Sequence, residues 1–164
     1  MQLNSITKIS AVSLFTFLNL FSICFAQEPA LFQGLVNSDK INIRSDSTVN
    51  SQIICNINKG NQLEVVKELY GWYKIKLPKN APSFIRSDMV NIINDNTARV
   101  IKDKVNIRLS PNESSPILGR AEKNEIINIL KTKGGWHRIE PVTNSFGWIN
   151  KGFVDKLPLK EIFR

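Results

Sequence analysis

The sequence predicts an all-β chain made of two copies of one small unit. Three observations predict it. The chain repeats itself at a fixed offset of 64 residues, with no insertion or deletion from 34/98 to 90/154. Self-similarity at a constant offset is the mark of tandem copies of one structural unit. Apolar and polar residues alternate over short runs, which is the strand period. Turn-forming clusters separate those runs at close spacing, the pattern of a small barrel or sandwich. Only single helical turns, at 87–89 and 151–153, interrupt it.

The elements follow in chain order. "VNSDKINIR" at 36–44 matches "VIKDKVNIR" at 100–108, and "SQII" at 51–54 matches "SPIL" at 115–118. "QLEVV" at 62–66 and "IINIL" at 126–130 are rich in branched residues, which favour strands. "YGWYKI" at 70–75 pairs with "GGWHRI" at 134–139, and "FIRSDMV" at 84–90 with "WINKGFV" at 148–154. The expected core of the first copy is Ile41, Ile43, Leu63, Val65, Ile75, Ile85 and Val90. That of the second is Val105, Ile107, Ile127, Ile129, Ile139, Ile149 and Val154. The expected division is a first unit at 34–93, a linker at 94–97 ("NDNTA" marks the joint), a second unit at 98–157 and a tail at 158–164. Residues 27–33 form a short N-terminal segment.

Residues 1–26 read as a cleaved signal peptide. Lys8 supplies the basic start, an uncharged apolar run follows, and small residues at Cys24 and Ala26 form the cleavage site. A retained single anchor is the alternative, because the run is long enough to reach the lower limit for a span. Cleavage leaves Cys55 as the single remaining cysteine, so no internal disulfide can form and stability must come from packing. Cys55 sits among apolar neighbours in "SQIICNI", which predicts burial. The net charge is +8. Its basic residues, among them Lys67, Lys74, Lys102, Lys104, Lys131 and Lys133, are scattered rather than blocked. No nucleic-acid motif accompanies them, and such a charge suits approach to anionic envelope surfaces.

These stretches resemble the bacterial SH3-like domain family. The second copy carries the pattern in "NIRLSPN" (106–112), "GGWHRI" and "FGWINKGFV" (146–154). The first carries it in "NIRSDST", "NKGN" and "YGWYKI", with Ser83 and Phe84 where the closing Gly-Trp is usual. The resemblance implies two tandem small SH3-like β-barrels acting as a non-enzymatic module of the bacterial envelope. It also implies peptidoglycan or cell-wall peptides as ligands, since some members bind them.

A catalytic reading finds little support. A Cys/His nucleophile pair needs hydrogen-bond reach, and Cys55 and His137 lie in different copies with neither duplicated. No metal-ligating cluster, cofactor motif or phosphate loop is present, so catalytic residues, metal and cofactors are all expected to be none. Binding remains. SH3-like barrels take extended peptides in aromatic-lined grooves, and the candidates are Tyr70, Trp72 and Tyr73 in the first copy and Trp136, His137 and Trp148 in the second. At the start of a strand Trp72 and Trp136 are expected to cap the core before they serve as ligand contacts, and His137 shares a strand face with Ile139, which favours a packed imidazole. Asn42, Arg44, Asn106 and Arg108 are expected to be structural, with Asp39 and Asp103 as partners in a polar network. The expected partner is peptidoglycan or an envelope protein, in the periplasm or outside the cell, with no nucleic acid and no stable membrane span after cleavage. A protein–protein adaptor without wall affinity is the alternative function. The sequence leaves the oligomeric state open.

Overall fold

A computed structural model describes residues 30–158. The expected signal peptide, residues 1–26, and residues 159–164 of the expected tail lie outside the described residues. Fourteen strands occupy this span. In the first repeat they are β1 (Phe32–Val36), β2 (Ile41–Arg44), β3 (Ile53–Ile57), β4 (Gln62–Leu69), β5 (Trp72–Lys76), β6 (Ser83–Arg86) and β7 (Val90–Asn94). In the second they are β8 (Thr97–Val100), β9 (Val105–Arg108), β10 (Ile117–Ala121), β11 (Ile126–Lys133), β12 (Trp136–Ile139), β13 (Phe146–Asn150) and β14 (Val154–Lys156). A single 3-10 turn precedes β7 and another precedes β14, at Ser87–Met89 and Lys151–Phe153.

The alternation read from the sequence sets which side chains turn inward. In β5, Tyr73 and Ile75 are buried while Trp72, Lys74 and Lys76 stay half-exposed. β12 repeats this with His137 and Ile139 inward and Trp136 and Arg138 outward. The duplicated Asp-Lys that opens each "NIR" strand has a local cause. Asp39 Oδ1 accepts a hydrogen bond from the Lys59 backbone N–H at 3.0 Å, and Asp103 Oδ1 from that of Lys123 at 3.3 Å. Lys40 and Lys104 follow in the left-handed region, at φ 56° and 54°. The aspartates thus pin a neighbouring turn and do not join the Asn and Arg side chains in the expected network.

The sheets do not follow the repeats. One seven-stranded sheet has the order β14-β1-β4-β5-β13-β2-β3, the other β10-β9-β6-β12-β11-β8-β7. The second is continuous in sequence from β6 to β12, whereas the first is assembled from β1–β5 and, across the whole second barrel, β13 and β14. The closing strands of the two repeats are exchanged. β6 lies antiparallel on β12, with Ser83 opposite Ile139 and Arg86 opposite Trp136. β13 lies on β5, with Phe146 opposite Lys76 and Asn150 opposite Trp72. β14 closes on β1. Residues 94–97, expected as a linker, end β7 and start β8 in one hairpin, where Asn94 faces Thr97.

The cores follow the sheets. Ile85 and Val90 pack with Val105, Ile107, Ile127, Ile129 and Ile139. Ile149 and Val154 pack with Ile43, Leu63, Val65 and Ile75. The residues expected in the core are indeed buried, apart from Ile41, which packs partly buried against the first core. Four of them are corrected in allegiance: Ile85 and Val90 belong to the second barrel, Ile149 and Val154 to the first. One steric difference favours this arrangement. A Cβ at Gly147 would lie 2.5 Å from Ile43 Cγ2 and 2.9 Å from Leu77 Cδ2. The equivalent position of the first repeat is Ser83, whose Cβ would have to displace these side chains, so β13 fits the slot more easily than β6. Exposed ion pairs lie at the exchanged ends. Arg86 grips Asp88 through two bonds of 2.9 and 2.7 Å and reaches Glu113 at 2.8 Å, while Lys151 pairs with Glu68. The Arg86 hydrogen bonds hold both the Asp88 and the Glu113 carboxyls below their ordinary range. Exposed pairs of this kind contribute little stability singly.

Candidate functional site

Each barrel carries an outward aromatic pair, and each pair draws one residue from each repeat. On the second barrel Trp136 stands on β12 and Phe84 on the adjacent β6, whose register places Phe84 opposite Arg138 and Arg86 opposite Trp136. The two rings share a half-exposed face diagonally across the strands. On the first barrel Trp72 stands on β5 and Trp148 on β13, opposite Lys74. The sequence placed Trp148 with Trp136, but strand exchange places it with Trp72.

A groove of about 410 Å³ opens at the first of these pairs, floored by Phe84, Pro111 and Trp136 and edged by Lys131, Lys133 and Arg138. Trp148 with Phe146 faces a separate depression of about 560 Å³, to which the second barrel contributes Lys104 and Arg120. Lys74 Nζ lies 3.9 Å from the centroid of the Phe146 ring there, a cation–π contact. Phe84 was absent from the sequence candidates. Its signal was available, since it stands 64 residues before Trp148.

Two candidates leave the surface. Tyr73 is 1% exposed, and its ring meets Phe32 edge-on at 5.2 Å within the first core. His137 is 5% exposed. Strand alternation turns both inward, so neither can touch a ligand on the outer face. His137 Nδ1 is 2.7 Å from Thr132 Oγ1, and burial pushes the imidazole below its ordinary pKa. An imidazole that is harder to protonate folded than unfolded contributes stability fully at neutral pH. That contribution is lost as the pH falls through the unfolded value near 6.5 and levels off below the folded value. Glu125, raised by burial, works in the opposite sense at lower pH. The comparison with His137→Phe therefore isolates the imidazole: the variant is expected to lose less stability than the parent between pH 7 and 5 in urea titrations, and parallel curves would refute this.

Tyr70 takes the opposite position. It is 93% exposed at the β4–β5 turn, in the left-handed region at φ 45°, followed by Gly71 at φ 82°. The second repeat puts Gly134 there, at φ 59°. A bulky side chain at positive φ is uncommon and costs energy that glycine avoids.

The "NIR" side chains make their hydrogen bonds within their own repeats. Arg44 donates to the Ser51 carbonyl at 2.8 Å and Arg108 to the Ser115 carbonyl at 2.9 Å, each bracing the loop after its own strand. Asn42 Oδ1 accepts from Asn56 at 2.6 Å, and Asn106 Oδ1 from Arg120 at 3.2 Å. Cys55 is half-buried against the first core, and burial pushes its thiol up to about 11, which keeps it protonated and a poor nucleophile. It lies on β3 of the first sheet, whereas His137 lies on β12 of the second.

Among the described residues no helix is long and apolar enough to cross a membrane, and no group of three or more His, Cys, Asp or Glu is placed to hold a metal. Comparison with known proteins matches the bacterial SH3 domain at residues 39–91 and again at 103–155. A curated relative, the putative N-acetylmuramoyl-L-alanine amidase YrvJ of Bacillus subtilis (strain 168), is 23% identical over 120 residues. The match covers 65% of this chain and 23% of the relative, so the chain spans less than a quarter of that protein's length. The matched segments each run from a "DK" turn to a closing strand, and together they cover most of the described residues. The chain belongs to the bacterial SH3 domain family and carries the domain twice.

Proposed function

We propose that this protein is an exported, non-enzymatic binding module of the bacterial cell envelope that contacts peptidoglycan or its peptides through the outer aromatic faces of its barrels. The observation that carries the reading is the pair of outward aromatic clusters, Trp136 with Phe84 and Trp72 with Trp148, on barrels whose interiors are already filled. Two further supports are the family itself and a relative named for action on an N-acetylmuramoyl-L-alanine bond. Export rests on the leader read in residues 1–26.

Cosedimentation of the chain lacking residues 1–26 with purified sacculi at low salt is the test. Wall binding predicts pelleting, and protein left wholly in the supernatant overturns it. Tyr70 sharpens the assay. Tyr70→Gly relieves the turn and is expected to raise stability by up to about 1 kcal/mol. Loss of an exposed ring contact should weaken pelleting about fivefold, the equivalent of one aromatic contact. A variant that is stabilised yet pellets like the parent makes Tyr70 a bystander.

One observation favours an adaptor role instead. β7 is an edge strand of the second sheet and exposes Ile92 and Ile93, at 57% and 50%, a surface onto which another chain could add a strand. Crosslinking in native envelopes that yields one discrete partner, together with no sacculus binding, would support that reading.

A further inference from the structure

The groove beside Trp136 has a charge arrangement that the fold does not require. In the β11–β12 ladder Lys131 stands directly opposite Arg138, and Lys133 opposite Trp136. Like charges facing each other across strands destabilise a sheet. None of the three cations is in an ion pair among the described residues, and no carboxylate lines the groove. The nearby Glu113 is already engaged by Arg86 and Arg108, at 2.8 and 3.1 Å. The first barrel repeats the register alone, with Lys67 opposite Lys74 next to Trp72, and there Lys74 lies over the Phe146 ring. Both ladders shift register just before the cation, between Ile129 and Lys131 and between Val65 and Lys67. The bulge is what brings the two positive side chains face to face.

We propose that the groove of the second barrel binds an extended peptide bearing carboxylates, with Lys131, Lys133 and Arg138 receiving the charge and Trp136, Phe84 and Pro111 the apolar parts. This deepens the wall-binding reading and rests on it, by naming the ligand chemistry. A carboxylate between Lys131 and Arg138 converts a repulsive pair into two charge-assisted hydrogen bonds. The floor argues for a peptide over a polyol phosphate, which would gain nothing from an apolar surface. Beyond Phe84 and Pro111 the groove continues into a second depression lined by Val49, Asn50, Gln52 and Ile53. It therefore has length for several extended residues. The site is also composite. Beside Trp136, Phe84 comes from the first repeat and the other lining residues from the second, and the extension past Pro111 is lined again by the first.

The test uses the chain without residues 1–26 and three probes in low-salt calorimetry: the pentapeptide Ac-Ala-Glu-Ala-Glu-Ala with a free C-terminus, its glutamine-substituted C-terminal amide, and glycerol 3-phosphate. The acidic peptide is expected to bind at least about tenfold more tightly than the amide, the equivalent of one charge-assisted hydrogen bond. The double variant Lys131→Gln/Arg138→Gln should abolish that preference. Both residues are exposed, so the variant is expected to fold, and removal of the opposed charges should not lower its unfolding midpoint. Equal binding of the two peptides, no binding of either, tighter binding of glycerol 3-phosphate, or an unchanged preference in the double variant each overturn the proposal. Sacculus pelleting separates the two readings. If the parent pellets but ignores the acidic peptide, the groove assignment fails and wall binding stands. If it binds the peptide but does not pellet, the wall reading fails.

Discussion

Residues 82–142, produced alone, are expected to fold as a cooperative unit, whereas residues 27–94 are not. The segment from Pro82 to Val142 contains all seven strands of the second sheet and the buried residues of its core, from Ile85 to Val142. At roughly 60 residues it is near the lower limit of independent folding, where a domain buries only about 60% of its chain's surface. Marginal but two-state unfolding is therefore the expected result. Residues 27–94 hold the first unit as the sequence divides it, 34–93, with the segment that precedes it and one linker residue. They lack β13, which pairs with β5 over five residues, and β14, which pairs with β1. Their own closing strand would press the Ser83 Cβ against Ile43 and Leu77, where Gly147 now fits. Circular dichroism with urea titration of both fragments decides the matter. Cooperative unfolding of residues 27–94 alone would show that the exchanged closure is not enforced by sequence.

The contrast shows what was legible. The ungapped offset of 64 gives the strands, the turns and the inward positions, because each is written in local alternation and turn chemistry. Strand partnership is not local. Ile85 and Ile149 satisfy either core, and Val90 and Val154 satisfy either edge. One local difference bears on the choice, a Cβ present at Ser83 and missing at Gly147. The same holds for the site. Alternation correctly turned His137 inward beside Ile139, and applied in the same way to "WYKIK" it would have removed Tyr73 from the surface. The Phe84–Trp136 pair needed the exchange to be known. The opposition of Lys131 and Arg138 needed the register, including its bulge, and composition showed only scattered positive charge. Functional residues that arise from pairing between repeats are invisible to a reading made one repeat at a time.

The most damaging small substitution is expected at Gly119, where the second repeat departs from Cys55 of the first. Gly119 lies on β10 and bridges Ser145, in the segment that returns the chain from the second barrel to the first. Ser145 is 1% exposed, and its carbonyl accepts the Leu77 N–H at 3.0 Å, so the segment is held from the first barrel as well. A Cβ on Gly119 would lie 2.0 Å from the Asn144 carbonyl oxygen, 2.7 Å from its carbon and 2.8 Å from Ser145 Cα. All three are backbone atoms, so no side-chain rotation relieves the overlap. Gly119→Ala is expected to destabilise the full chain by about 3 kcal/mol or more, at or beyond the upper end of ordinary overpacking costs. In the fragment 82–142, which ends before Asn144, the same substitution meets no such obstacle. There it should be neutral or stabilising by roughly 0.5 kcal/mol, because alanine is less costly to order in a strand than glycine. A loss of the same size in both contexts would mean that Gly119 serves β10 itself. A loss confined to the full chain identifies this glycine as the close contact through which the second barrel delivers β13 to the first, and with it Trp148 to Trp72.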